Sequence, residues 1–474
     1  NLSVKKKILI TTAIDYVNDV IHIGHAYQKI LADCVARFER IRRGSENVFF
    51  VTGTDEHGQK VYNVAKERGV DVKEFVDEIS KKDQEQQDSI QISYDRFIRT
   101  TDGDHKKTAE DFFRKVYNAG YIYKDNYKGL YCEGCESYKT EKDLINGRCA
   151  LHPGLEIQVV EEENYFFKFS SFKDFLRTLY EKNPDFVLPN SRYREMYAFI
   201  DTIEDIPITR RKEKLPWGIE CPIDKNHVIW VWFDALINYL TFGLQVNSWD
   251  EDTEIVHFLG KDNARMHALL WPCMLKAAGY SIPTHVYVNA FLSMNGKKIS
   301  KSLGNIVAPK DLVERYGADP VRYYFLRYGP IIEDSDFSES HFQEVYNADL
   351  ANGLGNTVAR LAKLAEKSDF SLTAEKEKKD TFLELSQYFD EFRVDLALQK
   401  IWSKLANLDK HINENSPWSI KNNDKLREVL EYEIGELCNI AELCKPFIPG
   451  TSEKILKIFR SGKISSAPLL FPRI

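Results

Sequence analysis

A chain of 474 residues is too long for a single hydrophobic core and implies two to four domains. With 43% hydrophobic and 29% charged residues it has the composition of an ordinary globular protein, and no apolar run approaches the roughly 20 residues needed to span a bilayer. A net charge of −7 argues against wholesale coating of nucleic acid, although basic clusters at 40–43, 210–214 and 297–301 leave room for a local basic groove.

Residues 5–13 predict a strand and 24–41 a helix, with Ile30, Leu31, Val35, Phe38 and Ile41 at helical spacing and Arg42-Arg43-Gly44 suited to a C-terminus. Their junction carries His22-Ile23-Gly24-His25. A helix start presents unpaired N–H groups and a positive dipole end, a ready site for phosphate. Residues 48–51 form a short apolar strand ending in Thr52-Gly53-Thr54-Asp55. Such alternation predicts an α/β domain with a parallel sheet and ligands at the strands' C-terminal ends.

The alternation breaks over residues 121–210, which read as an inserted domain. Here Cys132-x2-Cys135 is followed after thirteen residues by Cys149-x2-His152. Two paired ligand turns of this kind match a closed, tetrahedral Zn²⁺ knuckle, with a structural role because no coordination position is left open. A redox pair at Cys132 and Cys135 is disfavoured, since Cys149 and His152 complete the ligand set. The other five cysteines are scattered, which fits a reducing compartment rather than a disulfide framework.

Alternation resumes with a predicted strand at 227–233, a helix at 234–242, a strand at 255–259, a helix from about 262 and a strand at 285–289. The last leads to Asn295-Gly296-Lys297-Lys298, a Gly-led loop continuing through Ile299-Ser300-Lys301-Ser302, whose ammonium groups can reach a triphosphate. From about residue 348 strand character is lost. Helical spacing recurs at 350–365, 381–389, 394–413, 425–444 and 452–459, a bundle interrupted by a charged linker at 375–380.

The two phosphate-suited stretches resemble the HIGH and KMSKS signatures of class I aminoacyl-tRNA synthetases, with Ile299 in place of Met. Thr11-Thr12-Ala13-Ile14, Tyr16-Val17-Asn18-Asp19, Val51 to Gln59, Val231-Trp232-Phe233-Asp234-Ala235-Leu236, Asn238-Tyr239, Gly260-Lys261-Asp262, His267 and Trp271-Pro272 extend the resemblance to the methionyl-tRNA synthetase family over essentially the whole chain. It implies a Rossmann-like catalytic domain in two halves (1–120 and 211–347), a zinc-bearing connective insertion (121–210) and an anticodon-binding helix bundle (348–474).

It further implies a ligase that activates methionine with ATP and Mg²⁺ and transfers it to tRNA(Met). In the motif positions, His22, Gly24, His25, Gly260, Asp262, Lys298 and Lys301 would serve ATP, and Asp55 the substrate ammonium. Ala13, Ile14, Tyr16, Trp232, Ala235, Leu236, Tyr239, Asn263 and His267 would line the side-chain pocket. Aromatics and small aliphatics suit a thioether, whose sulfur contacts rings favourably. Two positions depart from the family pattern: Asn263 stands in place of Ile, and Asp15 in place of an aromatic residue or Pro.

In the bundle, Asn356 and Arg360 fall one turn apart on one helix face and Trp418 offers a stacking plate, and the resemblance implies that they read the CAU anticodon. Leucyl, isoleucyl and valyl enzymes carry an editing insertion for which 121–210 has no room, and the cysteinyl enzyme holds its zinc in the substrate pocket. A tRNA-binding protein without catalysis is disfavoured by the two intact signatures. The expected assembly is a monomer, and the expected location the cytoplasm, or an organellar matrix if a presequence was removed.

Overall fold

The computed structural model describes residues 6–372, 382–466 and 469–474, without the Ser302 side chain. The linker expected at 375–380 and the start of the helix expected at 381 lie outside the described residues. The described residues within Asn1–Ile21, Glu46–Gln86 and Tyr94–Asn289 form one compact unit, and those within His22–Ser45, Gln87–Ser93 and Ala290–Ile474 a second.

The first unit is built on a seven-stranded sheet. Its order is Val187–Leu188, His285–Asn289, Thr253–Gly260, Lys7–Thr12 and Val48–Asp55, with Asp15–Tyr16 and Arg96–Arg99 both on Val48–Asp55, and every pair is parallel. Lys7–Thr12 lies centrally, its Ile8, Leu9 and Ile10 buried, as the unbroken apolar run of a parallel strand requires. The chain turns to Val48–Asp55 on one side of this strand and to Thr253–Gly260 on the other, so the switch point of the topology falls between their C-terminal ends. Ala13, Tyr16, Asp55 and Gly260 come from that end of the sheet.

The inserted segment forms a four-stranded sheet in which Ile122–Cys132 and Gln158–Phe167 pair antiparallel from Ile122↔Phe167 to Tyr131↔Gln158. Part of 121–210 returns to the parallel sheet. Phe186 and Val187 are buried in the main core, and Val187–Leu188 pairs with His285–Asn289.

Two expectations need correction. The strand expected at 48–51 continues to Asp55. The strand expected at 227–233 is only His227–Ile229, and it pairs antiparallel with Thr209–Arg211 outside the parallel sheet. A helix, Val231–Gln245, begins where strand was expected. A short run such as Val231-Trp232-Phe233 is apolar on every face, so its spacing does not distinguish strand from helix.

In the second unit the helix Ile23–Arg43 is followed by a small sheet. Leu292–Met294 and Lys297–Lys298 form a hairpin turning at Asn295 and Gly296, both at positive φ (50° and 73°), and Ser335–Phe337 adds to it in parallel. The bundle comprises Asn356–Lys367, Leu383–Asp390, Val394–Asn415, Asn423–Leu443 and Pro449–Phe459, packed through buried Leu361, Ile401, Leu405, Leu430 and Ile434. Among the described residues no helix is long and apolar enough to cross a membrane.

Candidate active site

His22 is the N-cap of Ile23–Arg43. The Gly24 N–H donates to His22 Nδ1 at 3.0 Å, and the His22 N–H donates to His25 Nδ1 at 3.2 Å. The remaining first amides are also engaged: Ile23 N–H on the Val307 carbonyl (3.0 Å), His25 and Ala26 N–H on the His22 carbonyl (3.0 and 3.1 Å). This corrects the expectation of bare amides. With both Nδ1 atoms accepting, each neutral imidazole carries its proton on Nε2. Gly24 has a close physical reason as well: a Cβ there would lie 2.8 Å from His22 Cε1.

The lysine hairpin belongs to the same unit as these imidazoles. Ile299, in the position of the signature's Met, is buried and its Cδ1 would lie 3.6 Å from a Gly24 Cβ, while Lys298 and Lys301 are exposed. Asn305 braces the turn, donating to the Lys298 carbonyl and accepting from the Ser300 N–H, both at 3.0 Å. The signature stretches are therefore brought together, by contacts through Ile299 and Val307 that neither motif announces.

In the first unit, Trp232, Ala235, Leu236 and Tyr239 share one face of the helix Val231–Gln245, at spacings of three, four and seven. The Trp232 ring meets Tyr16 (centroids 6.3 Å) and His267 (6.2 Å) edge to face. His267 sits in a π-helical turn, Met266–Leu270, a distortion that re-aims a side chain. Its Nδ1 lies 2.9 Å from the Asn263 carbonyl and its Nε2 2.7 Å from Tyr239 Oη. A carbonyl only accepts, so Nδ1 carries the proton and Tyr239 donates to Nε2. Burial pushes His267 down to about 4, which keeps this ring neutral. Asn263 thus meets the pocket through its backbone, its side chain half-buried. Ala13 is buried at the same sheet end and Ile14 packs partly buried on the core. Gly260 ends its strand with Asp262 close by, at 2.8 Å from where a Cβ would sit.

Asp55 pairs in register with Tyr16. Both are buried at their polar ends, and Asp55 Oδ1 and Tyr16 Oη have no hydrogen-bond partner. Burial, with Asp234, Glu136 and Glu56 nearby, pushes Asp55 well above the usual carboxylate range. Asp234 is different: burial works against its charge, but hydrogen bonds from His57 Nδ1 and His105 Nε2, each 2.6 Å, hold it below that range.

Cys132, Cys135, Cys149 and His152 converge with all ligand atoms within 4.8 Å of one another. Cys135 Sγ lies 3.5 Å from Cys149 Sγ and 3.2 Å from His152 Nδ1, and Cys132 and Cys149 lie 3.8 and 3.9 Å from the same nitrogen. A tetrahedron with Zn–S bonds of about 2.3 Å has edges of roughly 3.8 Å, so the donor set fits a divalent metal of that type.

The sequence matches the family described as tRNA synthetases class I (M) over residues 8–152 and 139–362. The chain belongs to this family.

Among similar proteins, the methionine–tRNA ligase of Caldanaerobacter subterraneus subsp. tengcongensis is 38% identical over 99% of this chain and 79% of its own. That of Thermotoga maritima is 39% identical over 95% and 75%. The solved structure of Mycobacterium tuberculosis methionyl-tRNA synthetase in complex with methionyl-adenylate, 33% identical, matches this synthetase at a TM-score of 0.90, covering 98% of this chain and 100% of that one.

Within the synthetase's bundle, Arg360 lies over the Trp418 ring (5.4 Å) and donates to Asn413 Oδ1 at 3.1 Å. Trp418 is 54% exposed, enough to stack a base, and Asn356 is exposed one turn before Arg360. Sequence reasoning missed the support behind the pocket: the His57–Asp234–His105 cluster, and Glu136, whose carboxylate accepts from the Lys60 N–H and Tyr131 Oη. His57 and Asp234 were legible as motif members, but their pairing across 177 positions was not.

Proposed function

We propose that this synthetase is a methionine–tRNA ligase in which methionine and ATP give methionyl-adenylate and pyrophosphate, and the methionyl group then esterifies the 3′-terminal ribose of tRNA(Met). The observation that carries the reading is the pair of orphaned buried atoms, Asp55 Oδ1 and Tyr16 Oη, beside the aromatic slot. A substrate ammonium satisfies both, and its charge offsets the cost of burying the Asp55 carboxylate. Trp232, Ala235, Leu236, Tyr239 and His267, with Ala13, Ile14 and the Asn263 backbone, take the thioether.

The substrate carboxylate attacks the α-phosphate of ATP, so charge builds on phosphoryl oxygens and no general base is needed. His22 and His25 supply Nε2–H donors to those oxygens, Lys298 and Lys301 neutralise the departing pyrophosphate, and Gly24, Gly260 and Asp262 receive the nucleoside. Mg²⁺ enters with ATP and shares its charge. Zn²⁺ would be held by Cys132, Cys135, Cys149 and His152, where it supplies a fold constraint. Asn356, Arg360 and Trp418 read the anticodon loop.

In this reading, residues 1–120 and 211–347 make the catalytic part, 121–210 the connective insertion and 348–474 the anticodon-binding part of a monomer working wherever protein synthesis occurs, cytoplasm or organellar matrix. ATP–pyrophosphate exchange measured with each of the twenty amino acids tests it. Exchange driven best by methionine is expected; a better substrate among the other nineteen overturns the assignment.

A further inference from the structure

One guanidinium organises the second unit. Arg322, on the helix Ala318–Tyr328, is fully buried. Its Nη2 pairs with Asp33 at 2.7 Å, midway along the imidazole-bearing helix Ile23–Arg43. Its other bonds reach two different segments: Nη1 donates to the Ile90 carbonyl (3.1 Å), while Nε and Nη2 donate to the carbonyls of Phe447 (2.8 Å) and Pro446 (3.1 Å) in the turn before the last bundle helix.

Asp33 is equally committed, accepting also from Arg37 (2.8 Å) and from the Ser93 N–H and hydroxyl (2.6 Å each). The helix Ala318–Tyr328 also holds the first turn of the helix that follows, because Asp319 accepts from the N–H and hydroxyl of Thr451. At its other end, Gly329 packs so closely that a Cβ there would overlap both the Tyr27 ring and the carbonyl of Phe325 on its own helix. Tyr27 is two residues from His25, so the imidazole helix is pinned near its catalytic end and at its middle by one neighbour.

We propose that Arg322 is a positioning residue for adenylate formation: through the helix Ala318–Tyr328 it ties the placement of His22 and His25 to the 446–451 segment of the bundle. Burying an ion pair is poor value for stability alone, because apolar residues of similar volume do as well. A planar fork bonding three segments at once instead fixes geometry, and lysine's single ammonium cannot replace it. The proposal rests on the role assigned above to the two histidines.

Two variants of the full chain test it. Arg322→Lys breaks the fork, and Gly329→Ala presses on Tyr27 and on the Phe325 carbonyl without touching any charge. For each, methionine-dependent ATP–pyrophosphate exchange is expected to lose kcat by about 100-fold, the effect of an ångström-scale misplacement, with the methionine KM within about twofold of the parent. A folded fraction and melting temperature close to the parent's separate positioning from partial unfolding, which would lower the apparent kcat at unchanged KM in step with the unfolded fraction. Folded variants that keep the parent kcat, or losses that track the unfolded fraction, overturn the proposal. His22→Ala and His25→Ala are measured alongside; if those leave exchange intact, the histidine reading itself fails, independently of Arg322.

Discussion

At His267 the Asn263 carbonyl on one side and the Tyr239 hydroxyl on the other leave a single tautomer, and burial keeps the ring neutral. This has a consequence for stability. The group titrates at about 4 in the folded chain, against an ordinary value near 6.5 when unfolded. Between those values the unfolded chain binds a proton that the folded one refuses, so stability is full above about pH 6.5 and is lost as pH falls towards 4, by about 1.4 kcal/mol per unit. His257, pushed well down by burial, adds a slope of the same sign. Thermal melts across this window are expected to show a shallower pH dependence for His267→Gln than for the parent; equal slopes would refute the assignment.

Asp55 carries the opposite displacement, and here the readout is binding. Its carboxyl holds a proton unusually late, so, with the ammonium-binding role proposed for it, acidification sets that proton in competition with the substrate. The methionine KM should climb as pH falls, and Asp55→Asn should abolish that dependence while raising KM by about 10- to 100-fold, the worth of a charge-assisted bond. Initial-rate exchange kinetics at several pH values check both statements.

The helix Val231–Gln245 owes its placement to a second element, the knuckle. The Trp232 indole N–H donates to the Cys135 carbonyl (3.0 Å) and that of Trp230 to the Glu136 carbonyl (2.6 Å), so backbone shaped by the ligand turn fixes two indoles at the helix start. Chelation of the Zn²⁺ proposed for the knuckle, or Cys149→Ala, is expected to release these indoles to water. Tryptophan emission should shift to longer wavelength, and the methionine KM should rise about tenfold, as when a supporting contact of a site is lost. An unchanged spectrum after the metal has demonstrably left would sever this link.

For the whole molecule the expectation is a division of labour between the pocket and the bundle. Trp418 is exposed beneath Arg360, remote in sequence from every residue assigned to methionine or ATP. Trp418→Ala should raise the KM for tRNA(Met) in charging by about 5- to 100-fold, the worth of one stacked base, and leave methionine-dependent exchange within about twofold. Parallel loss of both steps would mean that the bundle governs activation more widely than through the Arg322 contacts.

Local chemistry was legible in the sequence. Ligand spacing at Cys132, Cys135, Cys149 and His152, the strand-to-helix junction at His22 and the turn at Asn295-Gly296 all depend on neighbours within a few positions, and each has the local form its residues predict. What could not be read there depends on partners remote in the chain. The start of the helix at Val231 is set by packing where a run apolar on every face carries no period. The amides of His22 and Gly24 are consumed by ring nitrogens whose orientation no spacing reveals, and that of Ile23 by the distant Val307 carbonyl. The proton on His267 and the raised Asp55 follow from burial and the fields of neighbouring groups, which exist only once distant segments have packed.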